Sequence, residues 1–240
     1  MHTRWDLACF TSDNVAVRDG NLVISTQTVV GELECLGENG PVVFRYSSGW
    51  VDTNQKLSVA NGLFEIRAKL PPPLFRTWPS SFLIANTSMR DTGTCWPLAT
   101  EIDLYEVAGG FGGDAVTGLG RNAMCASFHY GRECFVDLGA SLTGCLSPAQ
   151  LTTTDWHIYA SDFSGPTIRF YVDGVLYYVI DKNNSPLAPL PAPDSMAIVM
   201  QTALAWWIEP RDKISGLDPI VGGPGIVTHE IDWLRLWRHV

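Results

Sequence analysis

Charge is scarce in this chain, and basic charge scarcest. Only 17% of its 240 residues are Asp, Glu, Lys or Arg, with 16 Lys and Arg against 25 Asp and Glu. The resulting net charge of -9 and pI near 4.9 repel phosphate backbones and anionic lipid, so neither nucleic acid nor a membrane surface is an expected partner. The longest mostly apolar run, 196–208, is broken by Gln201 and Thr202 and falls far short of a membrane span. No Cys-x-x-Cys pair and no metal-like His/Cys spacing occurs, which argues against zinc. No charge run, low-complexity stretch or internal repeat divides the chain, so one domain over 1–240 is expected. The opening Met1-His2-Thr3-Arg4-Trp5 lacks the apolar core of a secretion signal.

What is present points to a globular protein with a large core. Hydrophobic residues make up 46% and nine are tryptophan, a number that serves either core packing or the lining of a carbohydrate cleft. Six cysteines (Cys9, Cys35, Cys95, Cys125, Cys134, Cys145) allow 15 pairings and leave disulfides or buried thiols open. A secreted, extracellular protein is the expectation that fits them. The triplets Asn86-Thr87-Ser88 and Asn183-Asn184-Ser185 are glycosylation acceptors in a eukaryotic secretory pathway.

Nearly every structural signal is a strand signal. Residues 14–25 read as strand, Asp19-Gly20 turn, strand, and residues 167–180 repeat the device around Asp173-Gly174. In 62–70 the alternation puts Phe64, Ile66, Ala68 and Leu70 on a core face and Glu65, Arg67 and Lys69 on the other, before Pro71-Pro72-Pro73 ends the strand. Segments 124–130, 157–163, 195–203 and 230–237 complete the strand set, and only Ser147-Pro148-Ala149-Gln150 resembles a helix start. The segment 209–229 holds four glycines and three prolines and reads as a long loop at a cleft rim. Many short antiparallel strands without βαβ alternation predict an all-β sandwich of two packed sheets, curved to leave a concave cleft.

The most informative stretch is Glu101-Ile102-Asp103-Leu104-Tyr105-Glu106. Strict alternation puts Glu101, Asp103 and Tyr105 on one face and Glu106 on the other. One bulged residue would swing Glu106 round beside Glu101, and bulges concentrate next to active sites. Three carboxyls in a row cannot all ionise freely, so one stays charged as a nucleophile while another keeps its proton as a general acid. Paired carboxyls of this kind are what glycoside hydrolysis uses, and the nearby Trp78, Trp96 and Tyr105 offer flat faces that suit sugar rings.

With the acidic strand in place, an ordered series of motifs resembles the family sixteen glycoside hydrolases, specifically the laminarinase-like branch with its E-x-D-x-x-E strand. The series runs from the first hairpin through Ser48-Gly49, Asn61 to Pro71, Thr77-Trp78-Pro79-Ser80-Ser81-Phe82-Leu83 and Trp96-Pro97 to the acids. Beyond them come His129-Tyr130-Gly131, Trp156-His157, Phe170-Tyr171-Val172-Asp173-Gly174 and Glu230-Ile231-Asp232-Trp233-Leu234-Arg235. The resemblance implies a β-jelly-roll and a retaining endo-β-1,3-glucanase, tolerant of mixed β-1,3/1,4 linkages. It makes Glu101 the nucleophile, Glu106 the acid/base and Asp103 the residue between, with the outer carboxyls roughly 5 to 5.5 Å apart.

It further implies Trp78 and Trp96 as cleft tryptophans, His129 as a residue near the acid/base, and Arg67 as a sugar contact. Gln201, which stands where many relatives carry asparagine, and Trp206 are counted among the substrate-binding residues. No cofactor is expected for catalysis. A structural calcium is expected on the convex side, at Asp232 and the backbone carbonyl of Gly20, since oxygen ligands suit that ion. The expected partner is a β-glucan and the expected state a monomer. Two alternatives share the fold: a β-glucan transglycosylase, which Trp206 and Trp207 permit, and a glucan-binding protein without catalysis, which the presence of both glutamates ranks last. Galactan or another β-linked polysaccharide stays open as substrate.

Overall fold

Both Asp-Gly sites turn the chain as the sequence predicts. Asp19 and Gly20 take φ of 51° and 84°, and Asp173 and Gly174 take 51° and 76°, the doubly positive backbone that matches the twist of paired strands. The computed structural model describes residues 6–37, 40–72, 77–85, 96–98, 100–107, 123–139, 142–164, 167–181, 196–204 and 225–238. Among these the strands in chain order are β1 (Ala8–Phe10), β2 (Val15–Arg18), β3 (Asn21–Gly37), β4 (Gly40–Ser48), β5 (Trp50–Asp52), β6 (Gly62–Lys69), β7 (Thr77–Ala85) and β8 (Glu101–Glu106). They continue with β9 (Met124–His129), β10 (Thr143–Leu146), β11 (His157–Ser164), β12 (Thr167–Val172), β13 (Val175–Ile180), β14 (Met196–Leu204) and β15 (Ile226–Trp237). The segment 195–203 is thus a strand from 196 to 204, and the last strand begins at Ile226, so the sequence-based loop boundary at His229 falls inside a strand.

The strands form a sandwich of two sheets, as expected. One has nine strands in the order β1-β4-β3-β15-β6-β11-β12-β13 with β2 on β3; the other has six in the order β10-β9-β8-β7-β14-β5. One pair departs from the antiparallel expectation, since β1 lies parallel to β4. The main core draws from both sheets, with Phe64, Ile66, Phe128, Tyr159, Phe170, Ile198 and Leu104 all buried. Strand β6 shows why the alternation holds: Phe64, Ile66 and Ala68 are wholly buried while the residues between them are not. Removing a Phe64-sized side chain from water contributes about 2–3 kcal/mol. Ser147 to Gln150 makes a turn and no helix, because the Gln150 side chain accepts both the Ser147 amide and its hydroxyl and closes the chain on itself. Among the described residues no helix is long and apolar enough to cross a membrane.

Disulfides join Cys9 to Cys35 and Cys125 to Cys145, and Cys134 is disulfide-bonded as well. The two sequons and Trp206 with Trp207 lie outside the described residues.

Candidate active site

Strand β8 breaks its own alternation. Ile102, Leu104 and Tyr105 all turn into the core, and the pairing with both neighbours skips one residue between Asp103 and Glu106. Two consecutive core-facing residues, Leu104 and Tyr105, are the mark of a bulge. The bulge brings Glu106 to the face that Glu101 and Asp103 occupy, which is the reversal the sequence required. It also corrects the place of Tyr105, whose ring is fully buried in the core and takes no part in a cleft.

Cross-strand register then sets the acids in three rungs. Glu106 lies on a rung that crosses all six strands, Cys145, Cys125, Glu106, Ser80, Gln201, Trp50. Asp103 lies on the next, Thr143, Ser127, Asp103, Phe82, Val199, Asp52. Glu101 lies on the third, between His129 and Ile84. Residues on one rung share a face, so the three acids project from the side of the sheet opposite the core.

The two outer acids each accept a neutral indole N–H, and Asp103 faces an imidazole. The indole N–H of Trp78 donates to Glu106 Oε1 at 3.0 Å, and that of Trp96 donates to Glu101 Oε1 at 3.3 Å. His129 lies between carboxylates, with Nε2 3.0 Å from Asp103 Oδ2 and Nδ1 2.6 Å from Asp137 Oδ2. Asp137 is fixed in turn by the amides of Tyr130 and Gly139 on its Oδ1. Only glycine fits at position 139, because a Cβ there would sit 2.1 Å from the Phe128 carbonyl oxygen.

Burial and mutual repulsion govern the titration. Burial, then the charge of Asp103, push the Glu101 carboxyl up to about 8. Burial, then Asp103 and Glu101, hold Glu106 well above the ordinary carboxyl range. Burial raises Asp103 too, against the pull of His129. Burial alone would discharge His129, yet the carboxylates of Asp103 and Asp137 outweigh it and hold the imidazole well above its ordinary value. The row therefore keeps protons near neutrality that free carboxyls would have lost, and it titrates as one unit. Among the described residues one trio, Glu101, Asp103 and His129, brings potential metal-ligand atoms within 4.8 Å of one another. A protonated imidazole between two carboxylates suits proton chemistry better than metal binding.

The structure thus brings together Glu101, Asp103, Glu106, Trp78, Trp96 and His129. Gln201 shares the Glu106 rung, but its side chain is buried and its amide donates to Ser80 Oγ at 3.2 Å, so it shapes the floor. Arg67 requires correction. It stands on the outer face of the nine-stranded sheet, ion-paired with Asp232 and stacked 4.7 Å over the Trp156 ring, on the other side of the sandwich from the acids. The calcium expectation finds no support in the arrangement at Asp232. The register does set the Asp19-Gly20 turn near Asp232, but that carboxylate is already ion-paired with the Arg67 guanidinium, and Asp232 is in no group of three or more acidic, His or Cys ligands among the described residues.

Asp137 and Trp50 belong to this face and escaped the sequence reading. Asp137 reaches His129 through a loop with no periodicity to reveal it. Trp50 follows the Ser48-Gly49 motif on an edge strand of three residues, too short to carry an alternation signal. It packs on Phe82 with ring centroids 5.9 Å apart and donates its indole N–H to Asp52 at 2.7 Å.

The two-sheet fold is shared with solved laminarinase structures. The laminarinase of Rhodothermus marinus superposes with a TM-score of 0.71 at 24% identity, covering 98% of this chain and 85% of that one. In sequence, the chain is 27% identical over 191 residues to the glucan endo-1,3-beta-glucosidase A1 of Niallia circulans, spanning 76% of this chain and 26% of that protein. It is 28% identical over 202 residues to the beta-glucanase of Rhodothermus marinus, spanning 81% of this chain and 63% of that protein. No family model matches the chain. These relatives bear out the laminarinase-like resemblance, and the chain spans less than two thirds of the length of either curated relative.

Proposed function

We propose that the chain is a retaining endo-β-1,3-glucanase of the laminarinase type, with Glu101 as nucleophile and Glu106 as acid/base. The observation that carries this reading is the bulge in β8, which sets Glu101, Asp103 and Glu106 on successive rungs of one face, each outer acid held by an indole N–H. In the first step Glu101, ionised, attacks the anomeric carbon while protonated Glu106 gives its proton to the departing glycosidic oxygen. Water deprotonated by Glu106 then releases the sugar from Glu101, and the acid regains its proton. Asp103 stands between them and, through His129, ties the row to Asp137, so a proton lost at one site raises the cost of losing the next. No cofactor enters this scheme.

The sugar chain binds across the rungs. Trp78 and Trp96 flank the acids, and Trp50 with Phe82 extends an apolar floor on the Gln201 side of Glu106. Flat rings of this kind match the apolar faces of glucose units. A net charge of -9 leaves a neutral polymer as the compatible partner. The disulfides Cys9–Cys35 and Cys125–Cys145 fit an extracellular site of action, and we take the catalytic unit to be a monomer.

The test is to incubate the protein, Glu101→Ala and Glu106→Ala with laminarin, barley β-glucan, carboxymethyl cellulose and agarose and to size the products. Short β-1,3-linked oligomers from the unaltered protein alone support the reading, and cleavage of barley β-glucan extends it to mixed linkages. Products longer than an added oligosaccharide move it to transglycosylation. Binding without cleavage by all three proteins makes the cleft a recognition site and overturns the roles of both glutamates.

A further inference from the structure

The bulge that delivers Glu106 to the cleft has a fastening on its other side. Tyr105, the second core-facing residue of the bulge, points across the sandwich and its hydroxyl lies 2.8 Å from Nε2 of His229 on β15, in the opposite sheet. Both residues are fully buried. Nδ1 of the same imidazole lies 3.2 Å from the Gln201 carbonyl and 3.4 Å from the Thr202 hydroxyl, both on β14. Tyr105 packs against Tyr159 at 4.5 Å and edge-on to the His229 ring at 5.7 Å.

The chemistry fixes who donates to whom. A carbonyl only accepts, so the proton of a neutral imidazole sits on Nδ1 and is given to Gln201, leaving Nε2 as an acceptor. The phenol, kept far from ionisation by burial, fills that acceptor. Burial holds His229 neutral as well, pushed down to about 4. The two bonds therefore run in one direction, Tyr105 to His229 to the Gln201 carbonyl. They join the residue before Glu106 to the backbone of the residue that shares its rung two strands away. Strand β8 has a regular alternative, in which Tyr105 faces the cleft and Glu106 the core. A ring anchored at its far end by a hydrogen bond opposes that slip, and apolar packing alone does so less well, since packing does not specify where the tip of a side chain ends.

We propose that Tyr105 and His229 form a positioning pair that holds the β8 bulge and so aims Glu106 at the glycosidic oxygen. The pair touches no substrate, and the proposal rests on the assignment of Glu106 as acid/base. Loss of the bond loosens the aim of one carboxyl and leaves the sugar-binding surface in place. A misplaced acid matters most where the leaving group needs a proton. The deficit must then shrink when the leaving group departs without one.

The experiment compares the unaltered protein, Tyr105→Phe, His229→Leu, His229→Gln and Tyr105→Phe/His229→Leu on laminarin and on a 2,4-dinitrophenyl β-laminaribioside. The burst of dinitrophenolate from the second substrate reports the first chemical step alone. We expect kcat on laminarin to fall about ten- to a hundredfold in Tyr105→Phe and His229→Leu with KM within about twofold. The double variant should fall no further than the singles, because both remove the same bond. His229→Gln, whose side-chain oxygen can accept the Tyr105 hydroxyl, should recover most of the loss. The dinitrophenolate burst should be nearly unchanged throughout. Equal losses on both substrates, or an unchanged kcat on laminarin in Tyr105→Phe, would overturn the proposal and leave the pair as core packing. If His229→Leu does not fold, Tyr105→Phe and His229→Gln carry the test. Glu106→Ala in the same assays separates the two levels. Wild-type turnover of laminarin by that variant sinks the acid/base assignment itself, whereas its inactivity beside an unaffected Tyr105→Phe sinks only the positioning pair.

Discussion

Strands β6 and β8 both carry charged residues on one face and apolar residues on the other, and they use them in opposite ways. On β6 the alternation is regular and each outward charge has a partner across the sheet: Arg67 pairs with Asp232, Lys69 lies 3.8 Å from Glu230, and Glu65 accepts the Trp237 indole at 2.8 Å. On β8 the alternation is broken, the charges are all acidic, and their donors are two neutral indoles and one histidine shared with Asp137. Compensated charge on a regular strand is a surface; uncompensated buried acid on a bulged strand is stored reactivity. In the second, burial and mutual repulsion hold protons that free carboxyls would lose.

The sharpest way to break this contrast is to remove an acid from β8. Glu101→Gln or Glu106→Gln is expected to lower kcat on laminarin roughly 10³- to 10⁴-fold with little change in the far-ultraviolet circular dichroism, a loss read directly from product release. In the unaltered protein the active form needs Glu101 ionised and Glu106 protonated. Because burial and Asp103 raise the first and burial raises the second, both limbs of the kcat/KM profile should lie above the ordinary carboxyl value of 4.5. A profile whose acidic limb sits at 4.5 would show that the row does not confine its protons as argued.

Stability should move the other way. Between 4.5 and about 8 the folded protein holds the Glu101 proton and the unfolded chain has lost it, so stability falls as pH rises through that window. Taken whole, the shift amounts to about 5 kcal/mol. Glu101 keeps partial contact with solvent and shares its titration with Asp103, so Glu101→Gln is expected to gain only ~1–2 kcal/mol at pH 8 and almost nothing at pH 4. Urea unfolding at the two pH values measures the difference. A variant no more stable at pH 8 than the parent would contradict the sign.

The two strands were not equally legible from sequence. On β6 a period of two is visible in the residues, and the structure follows it. On β8 the residues Glu101, Asp103 and Glu106 identified themselves by type, but their common face required a bulge that no residue in the stretch encodes, since neither glycine nor proline marks it. The bulge is fixed from outside, by the registers of β7 and β9 and by where Leu104 and Tyr105 find room. Tyr105 was misplaced for that reason. Arg67 was misplaced for another: alternation says which face a residue shares with its neighbours and nothing about which sheet the strand joins. The same limit hid Asp137 and Trp50, whose relation to the acids exists only across strands.

Trp50 gives a smaller and more local test. It stands on the Glu106 rung on the far side of Gln201, beyond reach of the reacting atoms. Trp50→Ala should raise KM for laminarin several-fold, about 1 kcal/mol of lost stacking, and leave kcat within about twofold. The same variant should not alter turnover of a disaccharide substrate too short to reach it. An equal effect on short and long substrates would place Trp50 in the packing of Phe82 and outside the sugar path.

The smallest effect belongs to β6, and its smallness is the point. Arg67 and Asp232 form a contact about one third exposed on each side, so solvent screening reduces their attraction to roughly 0.2–1 kcal/mol. The guanidinium also covers the Trp156 ring, so Arg67→Met keeps most of the packing and removes the charge. That variant should unfold within about 1 kcal/mol of the parent and turn over laminarin at the same rate. Removing the cation leaves Asp232 alone beside the Asp19-Gly20 turn, the one arrangement in which this carboxylate becomes available to calcium. Midpoints of thermal unfolding with calcium or with EDTA should therefore coincide for the unaltered protein, in which Arg67 already neutralises Asp232. A calcium-dependent rise in the unaltered protein would show that the arginine does not fill the role of a cation there, and the contrast between a compensated β6 and an uncompensated β8 would lose its first half.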